Sequence, residues 1–248
     1  KRVGLPGEAG PIILLGAVSG YPVGAKLTAS LYDRNEIDLP TAERLCAVCN
    51  LASPMFMTGT LASAILKSPS LGIVIMVSHW IGALAVLLMG LFKRSSKPLD
   101  TKPSPAIESE FSLARTLLSS VADGMTAMLR VCGSIMLFSV VIAALRVSGI
   151  LTIFSGVFSV IGIDAALVEA IVSGFFEKTT GAAAVSAIPA LSLPVKSAFC
   201  SFFVAFGGCS ILLQTLYFIP VRPTRYWGYK TIQGLVAAGM TLLLARAL

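Results

Sequence analysis

Two short stretches set Gly, Pro and ionisable side chains inside apolar segments: SGYPVGAK at Ser19–Lys26 and SGFFEKTTGA at Ser173–Ala182. In hydrocarbon a broken backbone and a buried charge each cost several kcal/mol, so both are tolerated only where protein or a water-filled cavity surrounds them. In the first stretch Gly20, Pro22 and Gly24 prevent a continuous helix and leave backbone N–H groups free at the turn and at the start of the half-helix that follows. Free N–H groups favour an anion, and Lys26, one turn further on, adds a full positive charge for a carboxylate. In the second stretch Glu177, Lys178, Thr179 and Thr180 form a dense polar cluster between apolar flanks. Glu177 can take a proton or a coupling cation, Lys178 can pair with it or face a substrate carboxylate, and the Thr hydroxyls can donate or accept. A purely structural reading stays open beside this one, in which the tips only turn the chain and Glu177 pairs with Lys178 or Lys26. Weaker candidates lie in the segments that follow: Asn50 with Ser53 and Pro54 in one, and Gly208, Ser210 and Gln214 in the other.

The elements that must position these residues are membrane helices. Of 248 residues 56% are apolar and 12% charged, and the mean hydropathy is +0.87. Leu71–Phe92 is interrupted only by Ser78 and His79, which matches the roughly 20 residues that cross about 30 Å of hydrocarbon. A formal charge of +7 is explained by basic residues gathering in cytoplasmic loops, and no basic tract with interleaved aromatics argues for nucleic acid. The five cysteines are an odd number inside apolar segments. They read as packing residues, the Cys46/Cys49 pair included, because nothing nearby completes a zinc set. There is no HExxH, GxSxG, P-loop or Rossmann fingerprint, so an enzyme is not expected, nor is a cofactor or structural metal. His79, the sole histidine, is expected to make an interhelical hydrogen bond. The chain opens on Lys1, which reads as a piece of something longer.

Apolar windows and their breaks divide the chain into a first unit over 1–92, a polar linker over 93–110 with Pro98, Pro103 and Pro105, a connecting region over 111–163, and a second unit over 164–248. The connecting region is expected to hold an amphipathic interfacial helix over Phe111–Arg130 and a span over Val131–Ser148. The second unit repeats the first: interrupted segments at Ala9–Tyr32 and Ala165–Ile188, long segments at Thr41–Leu66 and Val195–Phe218, and final spans at Leu71–Phe92 and Tyr229–Leu248. Cys49 falls on Cys200 and Pro69 on Pro220 at one offset of 151, and Ser19-Gly20 falls on Ser173-Gly174 at 154. The basic groups Lys93, Arg94 and Lys97 on one side, and Arg222, Arg225 and Lys230 on the other, sit at opposite ends of their units. Placing both in the cytoplasm inverts one unit relative to the other and turns each interrupted segment into a re-entrant hairpin. The expected architecture is thus an all-α polytopic membrane protein with two inverted repeats, each a re-entrant helical hairpin followed by two transmembrane helices. Such an arrangement marks secondary transporters.

The runs SGYPVGAKLTASLY, AERLCAVCNLASPMFMTGTLA, SGFFEKTTGA and AFGGCSILLQ resemble the YlbJ-type sporulation integral membrane proteins, a family placed with the nucleoside-recognition, or Gate, domains. The resemblance covers most of the chain in the same order. It implies a membrane transporter acting in spore maturation and cortex formation, with dipicolinate moving across the outer forespore membrane. A nucleoside substrate, as in the related concentrative nucleoside transporters, and a non-transporting scaffold for cortex assembly remain alternatives. Carried over, the family pattern puts the site at Ser19, Gly20, Tyr21, Pro22, Gly24, Lys26, Asn50, Glu177, Lys178, Thr179, Thr180, Gly208, Ser210 and Gln214. The implied partners are a small anionic substrate and the lipid bilayer of a bacterial cell membrane, with no nucleic acid. A coupling proton or sodium ion and a homo-oligomer stay open.

Overall fold

A computed structural model describes residues 5–91 and 112–247, so the 93–110 linker and its Lys93, Arg94 and Lys97 lie outside the described residues. Among those described, every regular element is helical. Helices α1 (Ala9–Ser19) and α2 (Val23–Asp33) form a hairpin, α3 (Leu39–Cys49) is followed by a π-helical stretch (Phe56–Ile65), and α4 (Leu71–Leu88) closes the first unit. After α5 (Leu113–Val147) and α6 (Ile150–Ser159), the second unit has α7 (Ala165–Phe176) and α8 (Lys178–Ser186) as its hairpin. It continues with α9 (Leu193–Phe206), α10 (Gly208–Phe218) and α11 (Pro223–Ala245). The order hairpin, broken helix, long helix therefore occurs twice.

Local signals explain the boundaries. Asp38 caps α3 by accepting from Thr41 N at 3.0 Å, with Pro40 in its first turn, and Asp164 caps α7 through Ala166 N at 2.7 Å. The long segments Thr41–Leu66 and Val195–Phe218, each expected as one transmembrane helix, are each broken in two. Pro54 and a non-helical Asn50 end α3, and Gly207 and Gly208, both at positive φ, separate α9 from α10.

The long helices of the two units form the centre. Helix α11 packs along α9 and α4, and Gly82 of α4 approaches so closely that a Cβ there would lie 2.5 Å from the Gln233 carbonyl oxygen. Each unit also reaches into the other by the same pairing: α2 touches α10 while α8 touches the π-helix, and α4 touches α9 while α11 touches α3.

Helix α5 runs unbroken for 35 residues, about 52 Å at about 1.5 Å per residue. The expected separation into an interfacial helix and a span does not occur. No proline lies between Ser112 and Ser148, and two charges of the expected interfacial stretch are engaged: Asp123 pairs with Lys26, and Arg130 stacks 3.4 Å from the Tyr217 ring centroid. Only Ser134 and Ile142 of α5 are buried. Leu71–Leu88, Leu113–Val147 and the paired α9–α10 segment Leu193–Phe218 are long and apolar enough to cross a membrane, which makes this an integral membrane protein. Met136, Leu137, Val140 and Val147, exposed on the C-terminal half of α5, are then suited to face lipid.

Candidate functional site

Each hairpin turn sits over the break of the helix that follows it. In the first unit Gly20 takes φ 82° at the end of α1, and a Cβ there would meet Ser53 N at 2.8 Å. A Cβ on Gly24 would lie 2.3 Å from the Cys49 oxygen and 2.7 Å from Asn50 N. The turn itself is Gly20-Tyr21-Pro22, with a cis Tyr21–Pro22 peptide, and α2 begins without a side-chain cap. In the second unit the turn is the single extended residue Glu177, and a Cβ on Gly208 would lie 2.7 Å from Phe175 O.

The two turns meet. The Tyr21 hydroxyl donates to Val204 O of α9 at 2.9 Å, and the Lys178 ammonium lies 5.3 Å from the Tyr21 ring centroid and 5.2 Å from that of Phe56. Lys178 is 6% exposed and its Nζ makes no hydrogen bond among the described residues. A second ammonium approaches the same ring: Lys230 Nζ of α11 is 5.8 Å from the Tyr21 centroid. Lys230 is fully buried, which corrects the expectation that it is a cytoplasmic loop charge. Of the expected basic loop only Arg222 and Arg225 remain, and both approach the buried carboxylate of Glu43.

Helix α8 does not present an open N-terminus. Glu177 caps it, its Oε2 accepting from Thr180 N at 2.7 Å and from the Thr180 hydroxyl at 3.0 Å, while Oε1 is buried without a partner. Thr179 is half-buried beside them and Ser19 is exposed at the end of α1. Lys26 leaves the site altogether. Its side chain is 51% exposed and bonded to Asp123 of α5, because one turn beyond Pro22 the helix carries it to the opposite face from Gly24.

Asn50, at the end of α3, donates to the Thr215 hydroxyl at 3.0 Å and the Tyr226 hydroxyl at 3.4 Å, leaving Oδ1 unpaired. Gln214 donates to Ser134 of α5 at 2.7 Å, so it ties α10 to α5. Ser210, near the start of α10, is buried with its hydroxyl unpaired. His79 bonds to the break rather than to another helix, Nε2 accepting from Ala52 N at 3.2 Å, which leaves Nδ1 as a buried donor without a partner. Cys46, Cys49 and Cys200 are buried and free, and no cluster of metal-ligating side chains occurs among the described residues.

Lys230, Gln233 and Tyr226 were absent from the sequence-derived site. A signal for Lys230 was present: the offset of 151 that sets Cys49 on Cys200 also sets His79 on Lys230. These two residues, one offset apart in the sequence, converge on one break. His79 receives the N–H of Ala52 on one side, and Lys230 donates to Asn50 O at 3.2 Å on the other.

No family model matches the chain, and no solved structure matches it. Among characterised proteins it is 30% identical over 268 residues to the sporulation integral membrane protein YlbJ of Bacillus subtilis strain 168, an alignment that takes in 98% of this chain and 65% of that protein. The chain therefore spans about two-thirds of its relative's length. That similarity, running along almost the whole chain, places it in the YlbJ-type family of sporulation integral membrane proteins.

Proposed function

We propose that the chain forms the substrate-binding core of a membrane transporter for a small, flat organic dianion of the dipicolinate type, acting in sporulation. The observation that carries this reading is the meeting of the two turns around Tyr21, with two buried ammoniums beside its ring and no carboxylate in ion-pair contact with either among the described residues. A buried cation without an ion-pair contact is expensive, and an entering carboxylate would supply the direct acceptor that Lys178 lacks, the neighbouring Glu177 carboxylate acting on it only through space. The aromatic faces of Tyr21 and Phe56 suit a planar ring. The uncapped start of α2 adds partial positive charge from the first turn.

The exchange of contacts between the units, α2 with α10 and α8 with the π-helix, is what a two-fold relation between repeats produces. It supports the inverted-repeat reading on which alternating access rests. Cysteine labelling of the Lys93–Lys97 and Arg222–Arg225 loops from each side of a sealed membrane tests it. Both should label from the cytoplasm, and labelling from opposite sides would count against inversion. The relative's name connects it with sporulation, and we extend that setting to this chain. We also read the protein as non-enzymatic.

The reading is tested by reconstituting the full-length protein in vesicles and following labelled dipicolinate, with unlabelled dipicolinate or a nucleoside as competitor. Uptake suppressed by dipicolinate and indifferent to the nucleoside supports it. Uptake of the nucleoside instead would move the assignment to the nucleoside reading, for which the buried, unpaired Glu177 Oε1 and Asn50 Oδ1 offer acceptors to ribose hydroxyls. Folded protein that moves neither would be a membrane scaffold.

A further inference from the structure

The Lys230 ammonium is held in an unusual way for a buried cation. Its Nζ donates to Gln233 Oε1 at 2.6 Å, to Asn50 O at 3.2 Å and more distantly to Ala47 O at 3.5 Å. Two of the three are carbonyls at the C-terminal end of α3, where the chain breaks and the helix leaves its last carbonyls unpaired. That end carries the negative pole of the helix. No carboxylate makes an ion pair with Lys230 among the described residues, and the side chain is fully buried. Three neutral oxygens arranged round one positive charge at a helix C-terminus are the surroundings of a monovalent metal cation, with the ammonium in its place.

We infer that Lys230 is a tethered cation: it occupies a monovalent-cation site formed by the broken end of α3 and Gln233, so that the break is held by a covalently attached charge and needs no free sodium or potassium. The inference concerns the helix break and does not depend on the identity of the transported substrate. It has a direct chemical consequence. Truncating Lys230 removes the charge and the stem together and leaves Ala47 O, Asn50 O and Gln233 Oε1 around a space that a free cation can enter. Lys230→Met removes the charge but keeps the space filled.

The test compares thermal unfolding of purified wild-type, Lys230→Ala and Lys230→Met full-length protein in detergent, each in ammonium, potassium, sodium or choline chloride at equal ionic strength. Choline is too large for the site and reports ionic strength alone. Wild type should melt at the same temperature in all four salts. Lys230→Ala should melt lower than wild type in choline and recover in at least one of the three small cations. A saturable rise of about 5 to 10 °C is expected when the cation is about 100-fold above its dissociation constant. Lys230→Met should melt low in every salt. An equal response of Lys230→Ala to all four salts would overturn the inference. So would a cation-specific rise in wild type, a measurement that stands even if Lys230→Ala fails to fold.

Discussion

At the break between α3 and the π-helix, the freed backbone groups are met by side chains from elsewhere in the chain. Ala52 N goes to His79 of α4, Asn50 O to Lys230 of α11, and the Asn50 side chain to Thr215 and Tyr226. At the corresponding break between α9 and α10 the chain handles its own geometry. Gly207 and Gly208 adopt left-handed conformations, and the backbone of hairpin α7–α8 lies directly on Gly208. One unit thus depends on distant polar groups and the other on local backbone freedom. A break held by side chains can be altered by whatever draws those side chains away, and a break held by glycine cannot. The first break, with Lys230 also beside Tyr21, is accordingly the one placed to respond to a ligand.

The largest expected effect is at the close approach of the first hairpin. Gly24→Ala drives a Cβ to 2.3 Å from the Cys49 carbonyl oxygen, against backbone that cannot turn aside. Loss of about 3 kcal/mol or more is expected, seen as a collapse in the yield of monodisperse protein on gel filtration. Normal yield and melting would show that the hairpin does not bear on the break. Gly208→Ala should cost somewhat less, about 2 kcal/mol, by combining a φ of 70° with a contact of 2.7 Å to Phe175 O. Its defect should not change when His79 or Lys230 is also replaced, since the two breaks are held separately. Strong coupling in that double-mutant cycle would end the contrast drawn above. His79→Leu should cost about 1 to 2 kcal/mol by leaving Ala52 N buried and unpaired, measured as a shift in the thermal midpoint.

The smallest effect is expected at Lys26. Its contact with Asp123 is made at the surface, the two side chains being 51% and 64% exposed, and such pairs contribute little. Lys26→Ala should leave melting and dipicolinate binding within about twofold of wild type. A tenfold loss of binding would return Lys26 to the site and displace the account built on Lys178.

Both hairpins were legible because Gly, Pro and charged residues interrupt apolar runs, and in lipid such an interruption has few explanations. The breaks themselves were harder to read. Gly207-Gly208 in a membrane helix is equally a packing surface, and only the positive φ angles distinguish the two. Lys26 misled because its neighbour Asp123 is 97 residues away on a helix whose charges indicated an interface. Lys230 was hidden by its company: after Arg222 and Arg225 it looked like one more charge near a membrane surface, whereas three oxygens from α3 and α11 draw it inward. Long-range satisfaction of polar groups leaves no periodic trace in a sequence, and the internal repeat was the one feature that could have pointed to it.

The account rests on Lys178 as an ammonium awaiting an anion, and equilibrium binding tests that most directly. Labelled dipicolinate is titrated onto purified wild-type protein and Lys178→Met protein in lipid nanodiscs, with melting temperatures recorded on the same samples. Lys178→Met removes a desolvated charge that makes no hydrogen bond but acts through space on the buried Glu177 carboxylate, so binding is compared only on samples whose melting shows them folded. Binding should fall about 10- to 100-fold, as expected for loss of a charge-assisted hydrogen bond of about 1.5 to 3 kcal/mol. Lys178→Met protein that is folded and binds dipicolinate as tightly as wild type would contradict the central claim.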